Sequence, residues 1–138
     1  MNTRRIAAAL CLFALVCRAF AAAPTEPEAL TSAETWLALV DNKQYADSWK
    51  QSGSQFRARV TQRQWIGMVG QVRSPLGALK SPRSIIGVKF ARSLPGAPDG
   101  DYAIVQFRSA FEHKAEAVET VTLVAEAGIL KCVGYFIQ

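Results

Sequence analysis

The sequence predicts an α+β fold, with three N-terminal helices packed on a curved four-stranded antiparallel sheet. Three observations carry this. Helical signals fill the first half after residue 30: two capping boxes, at Thr31-Ser32-Ala33-Glu34 and Thr61-Gln62-Arg63-Gln64, each precede apolar residues at helical spacing. After Gly77 the pattern changes to alternation rich in β-branched and aromatic residues. The connections between the alternating runs are short, which favours antiparallel neighbours, and helices followed by strands read as α+β rather than α/β.

The elements follow in order. The first helix runs from Thr31 to about Asp41, with Trp36, Leu37, Leu39 and Val40 as its apolar face, and Asn42-Lys43 breaks it. Tyr45 and Trp49 lie four apart and place a second short helix before Ser52-Gly53-Ser54. The third helix carries Trp65, Ile66, Met68, Val69 and Val72 and stops at Ser74-Pro75-Leu76-Gly77. Strands are expected over Ser84–Leu94, Asp101–Phe111, Ala117–Glu126 and Ile129–Ile137, with the turn-rich Pro95–Gly100 between the first two. Val105, Phe107, Val121 and Leu123 are expected on the sheet face that meets the helices. Tyr102, Gln106, Arg108, Thr120 and Thr122 fall on the other face, with Ile104 and Val118 among them. That half-polar face is either solvated or the contact of a homodimer.

The first 21 residues read as an export signal: Arg4 and Arg5, the apolar stretch Ile6–Val16, and the small-x-small site Ala19-Phe20-Ala21. The apolar stretch is shorter than the roughly 20 residues a membrane span needs. Residues 22–30, with Pro24 and Pro27, are expected to be a flexible tether, and 31–138 a single domain. Thr3-Arg4-Arg5 matches a twin-arginine signal poorly, because Ala7 and Ala8 stand where bulky apolar residues belong. Val16 before Cys17 does not fit a lipidation site. The expected protein is therefore periplasmic or secreted and soluble after cleavage. Arg4, Arg5 and Arg18 leave with the signal, so 13 basic residues face 11 acidic ones, and a charge of +2 gives no reason to expect nucleic acid. Cys132 remains as the single thiol, set in an apolar run, so no internal disulfide is expected. One Cys and one His, His113 in the charged turn Glu112-His113-Lys114, do not supply the ligands of a metal site.

No nucleophile elbow, phosphate loop, dinucleotide fingerprint or zinc motif is present. No catalytic residue, metal or cofactor is assigned. The candidate ligand-binding residues are Trp49, Trp65, Arg73, Glu119 and Tyr135. Trp49 and Trp65, with Trp36, either line an aromatic pocket or form core. Glu119 shares strand parity with Val121 and Leu123, so it is expected to point inward. There it either binds a cation, holds a ligand, acts as a general base with Tyr135 or Tyr102 as proton donor, pairs with Arg73 or Arg92, or lies at the sheet rim. Asp41 and Asp47 are expected to be exposed. Arg57, Arg59, Arg63 and Arg73 give the third helical region a basic surface, which needs no partner but would suit anionic envelope polymers.

An ordered set of short motifs resembles the uncharacterised exported DUF4019 domains. They are Ala33-Glu34-x-Trp36-Leu37, Tyr45-x-x-Ser48-Trp49, Val72-Arg73-x-Pro75-Leu76-Gly77, Leu94-Pro95-Gly96-Ala97-Pro98-Asp99-Gly100, Glu119-Thr120-Val121-Thr122-Leu123 and Gly134-Tyr135-Phe136-Ile137. The element order is similar to an NTF2-like or cystatin-like cone. The resemblance implies a compact bacterial envelope domain and supplies no catalytic residues. One departure is Lys80-Ser81-Pro82-Arg83, where a proline precedes a strand; it predicts a bent or edge start there. The function expected is a non-catalytic module binding a small molecule or an envelope protein. The alternative is an enzyme with Glu119 as base in an apolar cone.

Overall fold

A computed structural model describes residues 22–138. The export signal expected over 1–21 lies outside the described residues. Four helices precede four strands: α1 (Glu26–Asp41), α2 (Tyr45–Gln51), α3 (Ser54–Arg59), α4 (Gln62–Arg73), β1 (Ser84–Ala91), β2 (Tyr102–Phe111), β3 (Lys114–Glu126) and β4 (Ile129–Ile137). The strands pair antiparallel in the order β1-β2-β3-β4, so β1 and β4 are the edges. This is the α+β architecture the sequence predicts, with one helix more.

One boundary and one element differ from expectation. The segment 26–30, expected as tether, is the first turn and more of α1. The Glu28 carboxylate accepts the Thr25 backbone N–H at 2.8 Å and its hydroxyl at 2.8 Å, and Pro27 sits where a helix has no N–H to satisfy. This earlier cap prevails over Thr31 because it lets Ala29 join Ala33, Trp36, Leu37 and Val40 on the buried face. The second helix ends at Ser52-Gly53 as expected, but a short helix the sequence does not announce, α3, follows at once. Gly53 turns its N–H away from the helix to the Cys132 carbonyl on β4, at 2.7 Å. A Cβ at Gly53 would lie 2.7 Å from the Val133 side chain and 2.8 Å from that of Glu126, so any larger residue would have to displace them.

The core lies between α1 and α4 and the inner face of β2 and β3. Val105, Phe107, Val121 and Leu123 are all buried there, as expected. Register aligns them: Val105 faces Val121, and Ala103 faces Leu123. The three indole N–H groups each find an acceptor. Trp36 donates to the Ser48 carbonyl at 2.9 Å, Trp65 to the Ser48 hydroxyl at 2.9 Å, and Trp49 to the Val60 carbonyl at 2.7 Å. Ser48 thus ties α1, α2 and α4 together from a fully buried position. Tyr102, expected on the open sheet face, is buried instead; the Pro95–Gly100 turn folds over it and the Pro98 carbonyl accepts its hydroxyl at 2.5 Å.

α4 ends where it must for the site. Thr61 and Gln64 cap its start, and Trp65, Val69 and Arg73 form its buried row. Ser74-Pro75-Leu76 tightens into a single 3-10 turn, and Gly77 reverses the chain at φ +74°. The return segment passes Pro82 and enters edge strand β1 at Ser84, matching the edge start the proline predicts. That path carries Arg83 to the end of α1.

Candidate functional site

Glu119 sits on the central strand β3, opposite Phe107 on β2 and Ile137 on β4, and points inward as its parity predicts. It is wholly buried. A lone carboxylate here would be untenable, because an unpaired charge in a low-dielectric interior costs several kcal/mol. Its neighbours answer this with donors. Arg83 reaches Oε2 through Nε at 2.5 Å and Oε1 through Nη2 at 3.2 Å. The Tyr135 hydroxyl donates to Oε1 at 2.5 Å, and the Ser109 hydroxyl donates to Oε2. Arg73 Nη1 stands 3.7 Å from Oε1.

A second carboxylate completes the arrangement. Asp41, the last residue of α1, was expected to be exposed; it instead accepts from both arginines. Arg83 donates through Nη1 at 2.7 Å and Nη2 at 2.8 Å, and Arg73 through Nη2 at 2.7 Å. Side-chain exposure falls from 19% at Asp41 to 9% at Arg83, 5% at Arg73 and 0% at Glu119, so the cluster runs from a sheltered rim into the core. Two cations meet two anions, and the group is neutral overall.

The electrostatics follow. Burial pushes the Asp41 carboxyl up, but hydrogen bonds from Arg83 and Arg73 outweigh it and hold the group below the usual carboxylate range. Burial pulls both guanidinium groups down. For Arg83 the bonds to Asp41 and Glu119 more than restore it; for Arg73, Tyr135, Asp41 and Glu119 together do so. The Tyr135 phenol is pushed far up, first by burial and then by the negative charge of Glu119. It is therefore a fixed donor at neutral pH, and Arg73 donates to its oxygen at 3.4 Å. Arg73 also lies over the Phe111 ring at 4.8 Å, while its Nε is buried without a partner among the described residues.

In this geometry both oxygens of Glu119 are already engaged by donors. A base needs an oxygen open to a substrate proton. Both oxygens here are closed by the arginine fork, Ser109 and Tyr135. Tyr102 does not face the carboxylate, since its hydroxyl goes to Pro98. Arg92 also lies elsewhere, paired at the surface with Asp101 at 2.6 Å.

Of the five residues singled out from the sequence, Arg73, Glu119 and Tyr135 come together. Trp65 lies beside them through tilted aromatic contacts, with Trp36 5.8 Å from Trp65 and 5.5 Å from Tyr135. Trp49 does not join; it packs at the rim, with Arg57 6.0 Å from its ring. Sequence reasoning missed Arg83 and Ser109. Ser109 was legible, because it shares inward parity with Phe107. Arg83 left one signal, the out-of-place Pro82 that bends the approach to β1.

Behind Tyr135 the surface opens. A groove of about 170 Å³ runs between α4 and the end of β4, lined by Trp65, Met68, Val69, Val72 and the run Tyr135–Ile137. Its walls are apolar, and Met68, Val72 and Phe136 are largely exposed. The protein family described as a protein of unknown function (DUF4019) matches residues 32–135, a span that holds α4, Glu119 and Tyr135. The chain belongs to the DUF4019 family. No curated protein sequence matches it. Among solved structures, the DUF4019 domain is similar to Aln2 from a Streptomyces species, with a TM-score of 0.51 and 11% identity, over 85% of this chain and 93% of that one. At that identity the likeness concerns the fold alone. Among the described residues, no helix is long and apolar enough to cross a membrane.

Proposed function

We propose that this chain is a non-catalytic binding module of the bacterial cell envelope, built on an NTF2-like cone and exported by residues 1–21. The observation that carries the reading is the closure of Glu119. The interior position that would serve an enzyme of this shape is filled by the protein's own Arg83, Arg73, Tyr135 and Ser109. The charged cluster then acts as a clamp, joining the end of α1, the end of α4 and the approach to β1 to the sheet. What remains for a partner is the apolar groove beside Tyr135, where a small molecule or an envelope protein would bury Met68, Val72 and Phe136.

The test is a thermal-shift screen of the chain from Ala22 onward against fractionated envelope extract. A fraction that raises the melting temperature of the parent chain, but not of Val72→Glu, supports the groove. Stabilisation that survives Val72→Glu contradicts it. Export is tested by fusing residues 1–21 to an alkaline phosphatase that folds only outside the cytoplasm. Active enzyme is expected, and an inactive cytoplasmic fusion contradicts the export reading.

A further inference from the structure

We propose that two copies of this chain pair through the end of β4, antiparallel and about a two-fold axis at Phe136. The inference deepens the binding-module reading by naming its partner, and it rests on that reading. It starts from the register of the edge. Val118 and Gln138 exchange both backbone hydrogen bonds, at 2.9 and 3.1 Å. Antiparallel ladders alternate bonded and non-bonded pairs. Thr120–Phe136 is therefore bonded, whereas Val121–Tyr135 and Glu119–Ile137 are not. The N–H and C=O groups of Tyr135 and Ile137 consequently point away from β3, out of the sheet edge.

Those free groups are self-complementary. In a two-fold antiparallel pairing centred on Phe136, Tyr135 of one copy faces Ile137 of the other. Each such pair exchanges two hydrogen bonds. Phe136 then meets its own symmetry mate in the non-bonded position, where cross-strand side chains come closest. Phe136 is also the most exposed large apolar side chain among the described residues, at 60%. The pairing spans Gly134–Gln138 and stops short of Cys132, whose carbonyl Gly53 has already taken.

The two sheet edges are treated differently, which points to an occupant for this one. Exposed edges are ordinarily guarded by charge, proline or a covering segment. β1 carries Lys89, with Pro82 before it and Arg92 after it. The first half of β4 carries Lys131 and is covered by Gly53. The end of β4, Val133–Gln138, has no charged side chain and no proline, and neither does the facing stretch of α4, Gln64–Val72. Two copies brought together here meet uncharged helix against uncharged helix, with Met68 and Val72 beside the seam. A foreign strand would satisfy the same hydrogen bonds but has no reason to match Phe136 with Phe136.

Sedimentation velocity of the chain from Ala22 onward, across micromolar concentrations, tests this. A concentration-dependent dimer is expected. Phe136→Glu sets like charges opposite each other, and Ile137→Pro deletes an N–H that the β3 ladder does not use, so each is expected to weaken dimerisation at least tenfold. Circular dichroism of Ile137→Pro confirms that the protomer still folds. A monomer at every concentration overturns the proposal. So does a dimer that both variants leave intact, or one that Thr120→Arg on the outer sheet face dissolves instead. A monomer that still gains thermal stability from envelope extract through Val72 removes the pairing alone. A dimer with no extract response removes only the foreign ligand.

Discussion

Replacing Glu119 by glutamine is the sharpest perturbation of the clamp. The change keeps the shape and removes one charge. Arg73 and Arg83 are then left with Asp41 alone, one buried cation uncompensated, and the amide N–H₂ faces donors rather than acceptors. Removing one partner of a buried ion pair costs about 3–5 kcal/mol. A domain of this size loses roughly 3–5 °C of melting temperature per kcal/mol, so a fall of about 10–20 °C is expected. Far-UV circular dichroism at neutral pH measures it, together with a double-mutant cycle against Arg83→Met. The double variant removes both charges that meet most closely, and it is expected to be less destabilised than the two single variants combined, with a coupling of at least about 2 kcal/mol. Additive single effects, or a Glu119→Gln protein that melts within a degree or two of the parent, would refute the clamp.

Surface and buried pairs are expected to behave oppositely: Arg92→Ala, which breaks a pair with an 82% exposed arginine, is expected to change stability by less than about 0.5 kcal/mol in urea unfolding. Asp41 titrates lower in the folded chain than in the unfolded one, so the unfolded state binds more protons in acid. Its contribution is present above the unfolded value of 3.8 and is lost as pH falls through the lower folded value; melting temperatures from pH 6 down to pH 2 are expected to show an acid limb that Asp41→Asn flattens. Burial pushes the Cys132 thiol up to about 12, so in the chain from Ala22 onward a thiol reagent at pH 8 is expected to label this cysteine only once denaturant is added. Gly77→Ala, at φ +74° and with Glu112 close to where the Cβ would lie, is expected to destabilise by about 1–3 kcal/mol in the same urea assay.

What the sequence made legible is what local periodicity encodes. Strand alternation placed Val105, Phe107, Val121 and Leu123 on the inner face and aimed Glu119 inward, because side-chain direction in a strand depends only on parity. The capping box at Thr61 and the Pro75-Gly77 stop set the ends of α4 for the same local reason. The misses are tertiary. The unannounced helix α3 starts beyond Gly53, whose N–H answers a carbonyl on β4, 79 residues along the chain. Asp41 looks like a polar helix end until Arg83, 42 residues on, arrives beside it. Tyr102 has outward parity, yet a turn folds over it. The candidate site was half visible: an inward acid implied a buried cation, and Arg73 was named, but the identity of the second arginine depended on where Pro82 sends the chain.

The closure of Arg83 on Glu119 inside the protein is the contact on which the clamp depends. Nitrogen-15 NMR of the Arg83 Nε–H group tests it most directly. A separate, slowly exchanging signal is expected at neutral pH, displaced in Glu119→Gln and retained in Arg92→Ala. A signal that exchanges with water as fast as that of Arg92 would contradict the account.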